Sequence, residues 1–160
     1  MMHSWIGLEL FAIGILTGLR TLTPMAVLCW ITVLGRFRAG AGWMSFPASR
    51  ISVGIFSVLA LGELIGDKLP NTPSRTKAPG LIARIVFGAL TAGIVASAAG
   101  IAVDIGALIG VIGAIAGTFT GWFVRTRAVR LLKCPDLPIA LIEDAIAVGG
   151  SILIYVAMAR

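Results

Sequence analysis

Two carboxylates inside an apolar stretch are the first residues of this chain that could do chemistry. Glu63 and Asp67 lie in "GELIGDK", residues 62–68, and their spacing of four residues puts them on one face of a helix. An isolated charge in the core of a bilayer costs at least about 2.5–3.5 kcal/mol. We therefore expect both acids to face the interior of a helical bundle and to meet a partner. The candidate partners are Arg20, Lys68, Arg75 and Arg84.

Arg20 is the most informative of these partners, because it interrupts an apolar stretch. It lies in "GLRTLTP", residues 18–24, followed directly by Thr21. An arginine and a hydroxyl group beside the start of a helix can hold an anion. Arg-Thr recurs at residues 75–76 and 125–126. We interpret Arg125 as an interfacial side chain that extends to lipid headgroups.

A stiff basic loop follows the two carboxylates. Three prolines in "PNTPSRTKAPG", residues 70–80, predict that this stretch is not helical. Arg75 in this loop is a candidate for reading phosphate. A second acidic pair, Glu143 and Asp144, lies in the last apolar segment. The predicted substrate- or ion-binding residues are Arg20, Thr21, Glu63, Asp67, Lys68, Arg75, Glu143 and Asp144.

Neither a catalytic residue nor a cofactor is predicted. The only histidine is His3, and the two cysteines, Cys29 and Cys134, are far apart in the chain. These residues disfavour a thiolate or imidazole metal site and a disulfide framework. Whether the carboxylates hold a metal ion is left open.

The composition indicates an integral membrane protein. Charged residues make up 12% of the chain, apolar residues 58%, and the mean hydropathy is +1.02, whereas soluble domains carry about 25% charged residues. The net charge of +6 comes from basic groups between apolar stretches, which suits cytoplasmic loops and anionic lipid headgroups. Membrane lipids are therefore the expected partners, and nucleic acid is not. The N-terminus lacks the features of a removable signal peptide.

We predict an all-α, polytopic fold with about six helical segments in a single domain, residues 1–160. The first two segments are short, so they either span twice or form a re-entrant pair. A turn is expected at or near Asp104. The balance of Lys and Arg places loops 20–23, 67–79 and 125–136 in the cytoplasm of a bacterial inner membrane. The six segments are residues 5–19, 24–35, 51–69, 82–103, 105–124 and 137–159.

Short internal similarities suggest two three-helix repeats, residues 5–69 and 80–158. "GILTG" resembles "GALTAG", and "ALGELIGD" resembles "ALIEDAIA". An odd number of spans would make the second copy inverted, with a binding site where the copies meet. Glu63 and Glu143 would then be counterparts. A six-span layout puts both on the same side, however, and strict inversion would not.

Small residues recur every four positions in two neighbouring segments. We expect these stripes to hold the bundle together, because membrane helices associate by close backbone approach over small residues. A homo-oligomer face or a narrow substrate path is the functional alternative. The predicted packing glycines are Gly88, Gly100, Gly106, Gly110, Gly113, Gly117 and Gly121.

These motifs together resemble a bacterial membrane family. "GLRTLTP", "GELIGDKLPNTPSRTKAPGLIARIVFGALTAG" and "ALIEDAIAVGG" are similar to the family catalogued as domain of unknown function 4126. The resemblance covers almost the whole chain and implies a small polytopic membrane protein, with no established activity. A weaker resemblance links "ELIGD" and "TPSRT" to polyprenyl-diphosphate phosphatases. Here Asp67 replaces the second glutamate of that family, and the loop lacks its glycine.

Three functions compete at this stage. The first is a transporter or lipid flippase-like protein, in which the acids bind protons or cations and Arg20 and Arg75 hold an anionic small molecule or lipid headgroup. The second is a non-catalytic membrane assembly or scaffold protein. The third is a lipid-phosphate-processing enzyme, with Glu63 and Asp67 holding a divalent cation.

Overall fold

The fold is a bundle of six α-helices and one short 3-10 helix. The computed structural model describes residues 3–40, 42–68, 76–133 and 135–159, and no strand occurs in these ranges. The all-α class is thus confirmed, and each predicted segment corresponds to one α-helix. In chain order the helices are α1 (His3–Leu19), α2 (Thr23–Val33), the 3-10 helix (Gly42–Ala48), α3 (Arg50–Gly66), α4 (Ala78–Ala98), α5 (Val103–Leu132) and α6 (Asp136–Met158).

Local sequence explains where several helices begin. Pro24 and Pro79 lie in the first turns of α2 and α4, where a missing N–H breaks no helical hydrogen bond. Ser49 caps α3, because its hydroxyl accepts a hydrogen bond of 3.2 Å from the N–H of Ile51. The prediction that residues 70–80 exclude helix is wrong at its C-terminal end, since α4 begins at Ala78.

The turn between α4 and α5 lies just before Asp104. Gly100 has a φ of +73°, a left-handed conformation that glycine adopts without a steric penalty and that commonly ends helices. Asp104 falls in the first turn of α5, where a carboxylate stabilises the positive end of the helix dipole. α5 continues to Leu132, well past its predicted end at residue 124.

Helices α1, α4 and α5 pack at very close range through glycine. A β-carbon at Gly117 would lie 2.2 Å from the carbonyl oxygen of Ile15, and one at Gly110 would lie 2.3 Å from the carbonyl oxygen of Gly88. Both distances are shorter than real β-carbon contacts, so no side chain is tolerated there without movement of the backbone. Such close approach is a main source of association energy for helices in membranes.

Most of the predicted packing glycines lie at these two contacts within the chain. They are Gly88, Gly106, Gly110, Gly113 and Gly117. Gly121 is buried farther along α5. Gly100 corrects the prediction, since it is exposed with open space around it and ends a helix instead of packing. A homo-oligomer formed through α5 stays a prediction.

The remaining helices pack less tightly. α2 lies between α3 and α6, and eight of its eleven residues are buried. The hydroxyl of Tyr155 in α6 donates a 3.1 Å hydrogen bond to the carbonyl of Pro24. α3 packs mainly on α2 and the 3-10 helix, and only Val53 and Ala60 among its residues are buried. α5 and α6 make few contacts with each other.

The two halves of the chain are interleaved. α1 of the first half packs chiefly on α5 of the second, and α2 packs on α6. α3 ends, and α6 begins, at the same end of the bundle, as expected for a six-segment layout. The inverted repeat stays a prediction.

Three helices, α4, α5 and α6, are long and apolar enough to cross a membrane. The 3-10 helix and α3 supply a fourth candidate if this pair, bent by 67°, is one span. α1 and α2 are shorter apolar helices. The outer faces of the bundle are apolar as well, with Ile51 74% and Leu153 72% exposed. Length, composition and exposed surface together suggest association with a membrane.

Candidate functional site

One end of the bundle gathers charged residues that the sequence spreads over the whole chain. This end contains the break between α1 and α2, the C-terminal end of α3, the C-terminal part of α5 and the N-terminal parts of α4 and α6. We call the linked residues the charge cluster. Its members are Arg20, Glu63, Asp67, Lys68, Arg84, Arg125, Asp136, Glu143 and Asp144.

Arg20 is the centre of the charge cluster. Its side chain is fully buried and forms an ion pair through Nη1 with Asp67 of α3. Its Nε donates a 2.7 Å hydrogen bond to Oδ1 of Asp144 in α6, and Nη2 lies 3.8 Å from Oε2 of Glu143. A buried guanidinium is tolerated only when it is paired and hydrogen-bonded. Arg20 therefore requires α3 and α6 to stay close to the end of α1.

Glu63 binds backbone rather than a cation. Its two carboxylate oxygens accept hydrogen bonds of 2.6 and 2.8 Å from the N–H groups of Thr21 and Leu22. These amides stand at the start of α2, where unpaired N–H groups and the helix dipole favour an anion. The nearest cation is Arg84, whose Nη2 is 4.0 Å from the carboxylate. Glu63 thus acts as an anion bound at a helix start.

Arg125 joins three segments from the far side of the charge cluster. Its Nη1 lies 2.9 Å from Oδ2 of Asp67 in α3 and 3.2 Å from Oε2 of Glu143 in α6. Its Nε donates a 2.8 Å hydrogen bond to Asp136, in the first turn of α6. Because Asp67 contacts both Arg20 and Arg125, the two guanidinium groups are bridged by one carboxylate.

Lys68 and Arg84 complete the charge cluster at its edges. The ammonium of Lys68 lies 2.7 Å from Oδ2 of Asp144 and 2.8 Å from the carbonyl of Leu64. Arg84 donates a 3.1 Å hydrogen bond from Nε to the carbonyl of Gly18 near the end of α1. Arg84 therefore satisfies backbone that the end of α1 leaves open, in addition to lying near Glu63.

The centre of the charge cluster lies below the helix ends, whereas Asp136 at its edge is exposed. Arg84 is the seventh residue of α4 and Glu143 the eighth of α6, so both lie about 10 Å from the start of their helices. Arg84 and Glu143 are both buried, like Arg20. Polar groups this deep must satisfy one another, because little water reaches them.

Two buried polar atoms near the α1–α2 break have no hydrogen bond to any described residue. One is Oγ1 of Thr23, the first residue of α2. The other is Nη2 of Arg20, which is close to Oδ1 of Asp144 at 2.6 Å but in poor hydrogen-bonding geometry. The start of α2 therefore offers more donor capacity than the surrounding carboxylates use.

The structure brings together most of the predicted site residues. Arg20, Glu63, Asp67, Lys68, Glu143 and Asp144 all belong to the charge cluster. Thr21 contributes its backbone N–H instead of its hydroxyl. Arg20 pairs with Asp67 and Asp144 rather than with Glu63. Arg75 lies outside the described residues.

Two members of the charge cluster were not predicted from the sequence. Arg125 was interpreted as an interfacial side chain, and this is wrong, because its side chain is only 14% exposed and binds three carboxylates. Asp136 was placed in a loop without a role. A signal was present, since Asp136 and Glu143 are seven residues apart and share one face of α6.

The acids of the charge cluster do not converge on a metal ion. Across the four described ranges, no group of three or more His, Cys, Asp or Glu residues is arranged to hold one. Glu63 and Asp67 turn to different partners, the α2 amides and the two arginines. The geometry in the described residues therefore does not support the divalent-cation site of the enzyme hypothesis.

Comparison of the chain with known protein families, with curated proteins and with solved structures found no match. Both resemblances drawn from the sequence motifs stay predictions. The geometry of the charge cluster is therefore the main basis for a functional proposal.

Proposed function

We propose that the chain is a multi-pass protein of the bacterial cytoplasmic membrane that transports or flips an anionic or phosphate-bearing substrate. The three candidate spans, the bent fourth one and the apolar outer surface support the membrane part of this proposal. The two short helices α1 and α2 would complete a six-segment bundle. The distribution of Lys and Arg favours the charge-cluster end facing the cytoplasm.

One observation carries the proposal: a fully buried arginine lies at a break between two helices, beside the amides that start the second helix. Arg20 and the N–H groups of Thr21 and Leu22 are the groups that bind phosphate or carboxylate in proteins. In this structure the protein's own carboxylates bind them. An anionic substrate would present the same kind of oxygen atoms to the same donors.

Partner exchange at this site would move helices. The carboxylates on Arg20 and the α2 amides belong to α3 and α6, and neither helix is locked into the glycine-packed core. A substrate that replaced Asp67 or Glu63 would therefore release α3 from the end of α1. A ligand shifts an equilibrium between two conformations when it binds one of them better. Such a shift, repeated on both sides of the membrane, is what a transporter requires.

The proposal is tested by flux in reconstituted vesicles. One assay measures uptake of phosphate and small organic anions, and a second measures exchange of a fluorescent anionic lipid between leaflets. We expect flux above that of empty vesicles in at least one assay. Arg20→Lys should reduce it by about tenfold or more, because it weakens anion binding by roughly 1.4 kcal/mol or more. Glu63→Gln should also reduce it, because it removes the carboxylate that exchanges with the substrate on the α2 amides. The absence of flux in both assays would rule the proposal out.

Asp104→Asn is the matched control. Asp104 is also an acid in the first turn of a helix, but it is exposed and outside the charge cluster. We expect its flux to equal that of the wild type. Equal losses in Asp104→Asn and Glu63→Gln would mean that general charge, not the site, sets the flux.

A scaffold function is the second candidate, and one observation favours it. Every carboxylate of the charge cluster has a cationic or amide partner. Fastening α3 and α6 to the core would therefore be enough to explain the cluster without a substrate. In that case Gly117→Leu should damage complementation of a deletion strain more than Glu63→Gln does. The transport proposal expects both variants to fail.

A further inference from the structure

A groove of about 240 Å³ lies between α1, α5 and α6 and borders the charge cluster at Arg125 and Glu143. It opens sideways, because Val124, Ile142 and Ile146 on its rim each expose more than half of their surface. α5 and α6 are both candidate spans, so in a membrane the groove would face hydrocarbon rather than water. Its apolar walls are formed by Ile15, Leu19, Val124, Ile139, Ile142 and Ile146.

The groove exists because α5 extends beyond the end of α1. Along the glycine stripe of α5, Gly117 is covered by the backbone of α1 at Ile15. α1 ends at Leu19, and Gly121, one turn farther along α5, lines the groove. With no side chain at Gly121 and few contacts between α5 and α6, the described residues leave the space between these helices unfilled.

The groove is polar where Arg125 and Glu143 line it, and these two residues bind each other at 3.2 Å. Arg125 is the lining residue of α5 nearest the α5–α6 turn, whereas Glu143 lies between Ile139 and Ile146 on α6. Beyond them α5 carries the exposed basic residues Arg127 and Arg130. Arg127 follows Val124 by three residues and therefore continues the rim of the groove on the same helix face. Hydrocarbon would lie along the walls, and an anion would lie at the turn.

We infer that this groove binds one acyl chain of an anionic phospholipid, with the phosphate-bearing headgroup against Arg127 and Arg130. The lining residues of α6 extend from Ile139 to Ile146, seven residues or about 10 Å, which suits the upper part of one chain. Exposed basic residues just outside the hydrocarbon are the usual contacts for anionic headgroups. The inference does not depend on transport, because a resident lipid needs no flux.

The test is native mass spectrometry of the purified full chain in a mild detergent. The probes are phosphatidylglycerol and phosphatidylcholine with identical acyl chains. We expect one tightly bound phosphatidylglycerol and weaker binding of phosphatidylcholine. Gly121→Leu, which fills the floor of the groove, should lower phosphatidylglycerol binding by roughly tenfold. Gly149→Leu, which adds the same side chain to open space on α6, should leave it unchanged.

Two further variants keep the test decisive if Gly121→Leu fails to fold. Ile142→Trp narrows the groove from its exposed rim and should also lower phosphatidylglycerol binding. The double variant Arg127→Gln/Arg130→Gln should remove the preference for phosphatidylglycerol while the groove stays open. Equal binding of both lipids to the wild type, or unchanged binding in Ile142→Trp, would overturn the inference. Neither result would bear on flux through the charge cluster.

Discussion

The bundle consists of a glycine-packed half, α1, α4 and α5, and a charge-linked half, α2, α3 and α6. Different forces hold the two halves in place. α1, α4 and α5 meet through glycine at distances that exclude any side chain. α2, α3 and α6 pack around this core through apolar side chains, and the charge cluster fastens one end of α3 and α6 to it. Backbone contacts of the first kind have one geometry, whereas ion pairs can change partners. The glycine-packed half is therefore the more rigid, and the charge-linked half has the capacity to rearrange.

The glycine-packed half should be the least tolerant of change. In Gly117→Leu the new side chain would collide with the backbone of Ile15, and overpacking of this kind costs about 3 kcal/mol or more when backbone must move. We expect loss of folded protein, measured by size-exclusion chromatography in detergent. Gly62→Leu, at an open position in α3, is the control. Normal folding of Gly117→Leu would contradict the close packing of α1 on α5.

Arg20→Met should be the most damaging change in the charge-linked half. It leaves Asp67 and Asp144 without their shared partner, although Arg125 and Lys68 still contact them. We expect a loss near the lower end of the 3–5 kcal/mol range for a broken buried pair, or about 3 kcal/mol. Unfolding in mixed micelles measures it. Arg20→Met/Asp144→Asn should be more stable than Arg20→Met alone, and a further loss would argue against the pairing.

Arg125→Lys should have an intermediate effect. Lysine keeps the charge but cannot present the planar fork that contacts Asp67, Asp136 and Glu143 together. We expect a loss of about 1–2 kcal/mol, the size of one or two hydrogen bonds to charged groups. Arg127→Lys is the control, because its side chain is exposed. If the two variants had equal stability, Arg125 would be no more than an interfacial residue.

Glu63→Gln should have the smallest effect on stability. The amide oxygen of glutamine still accepts a hydrogen bond from Thr21 or Leu22, so the main loss is the charge at the start of α2. That loss is about 1 kcal/mol. The same unfolding assay measures it, with Asp104→Asn as the exposed equivalent. A loss of stability as large as that of Arg20→Met would mean that the charge-linked half tolerates substitution no better than the glycine-packed half.

The sequence predicts the fold class and much of the site, for identifiable physical reasons. Long apolar stretches predict the helices, and the four-residue spacing of Glu63 and Asp67 predicts that both acids share one helix face. The turn expected at or near Asp104 lies just before it, at Gly100. These features are local, so a single stretch of chain carries them.

What the sequence does not predict depends on distance in three dimensions. Arg125 would be an interfacial residue if α5 ended at residue 124, as the sequence predicts. The helix continues to Leu132 and carries Arg125 to carboxylates of α3 and α6. Gly100 fits the four-residue stripe but falls beyond the end of α4. In both cases the identity of the residue is clear, and its role depends on a helix boundary and on the neighbours across it.

The length of α5 constrains how this bundle sits in a bilayer. Thirty residues give a rod of about 45 Å, while the hydrocarbon layer is about 30 Å thick. Tilting alone would require about 48°, beyond the roughly 0–40° seen for membrane helices. If α5 crosses a bilayer, a part of it must therefore protrude as a rigid post, and the basic residues Arg130 and Lys133 favour its C-terminal end. A single cysteine at Lys133, probed with an impermeant thiol reagent in intact cells, would report which compartment this post enters.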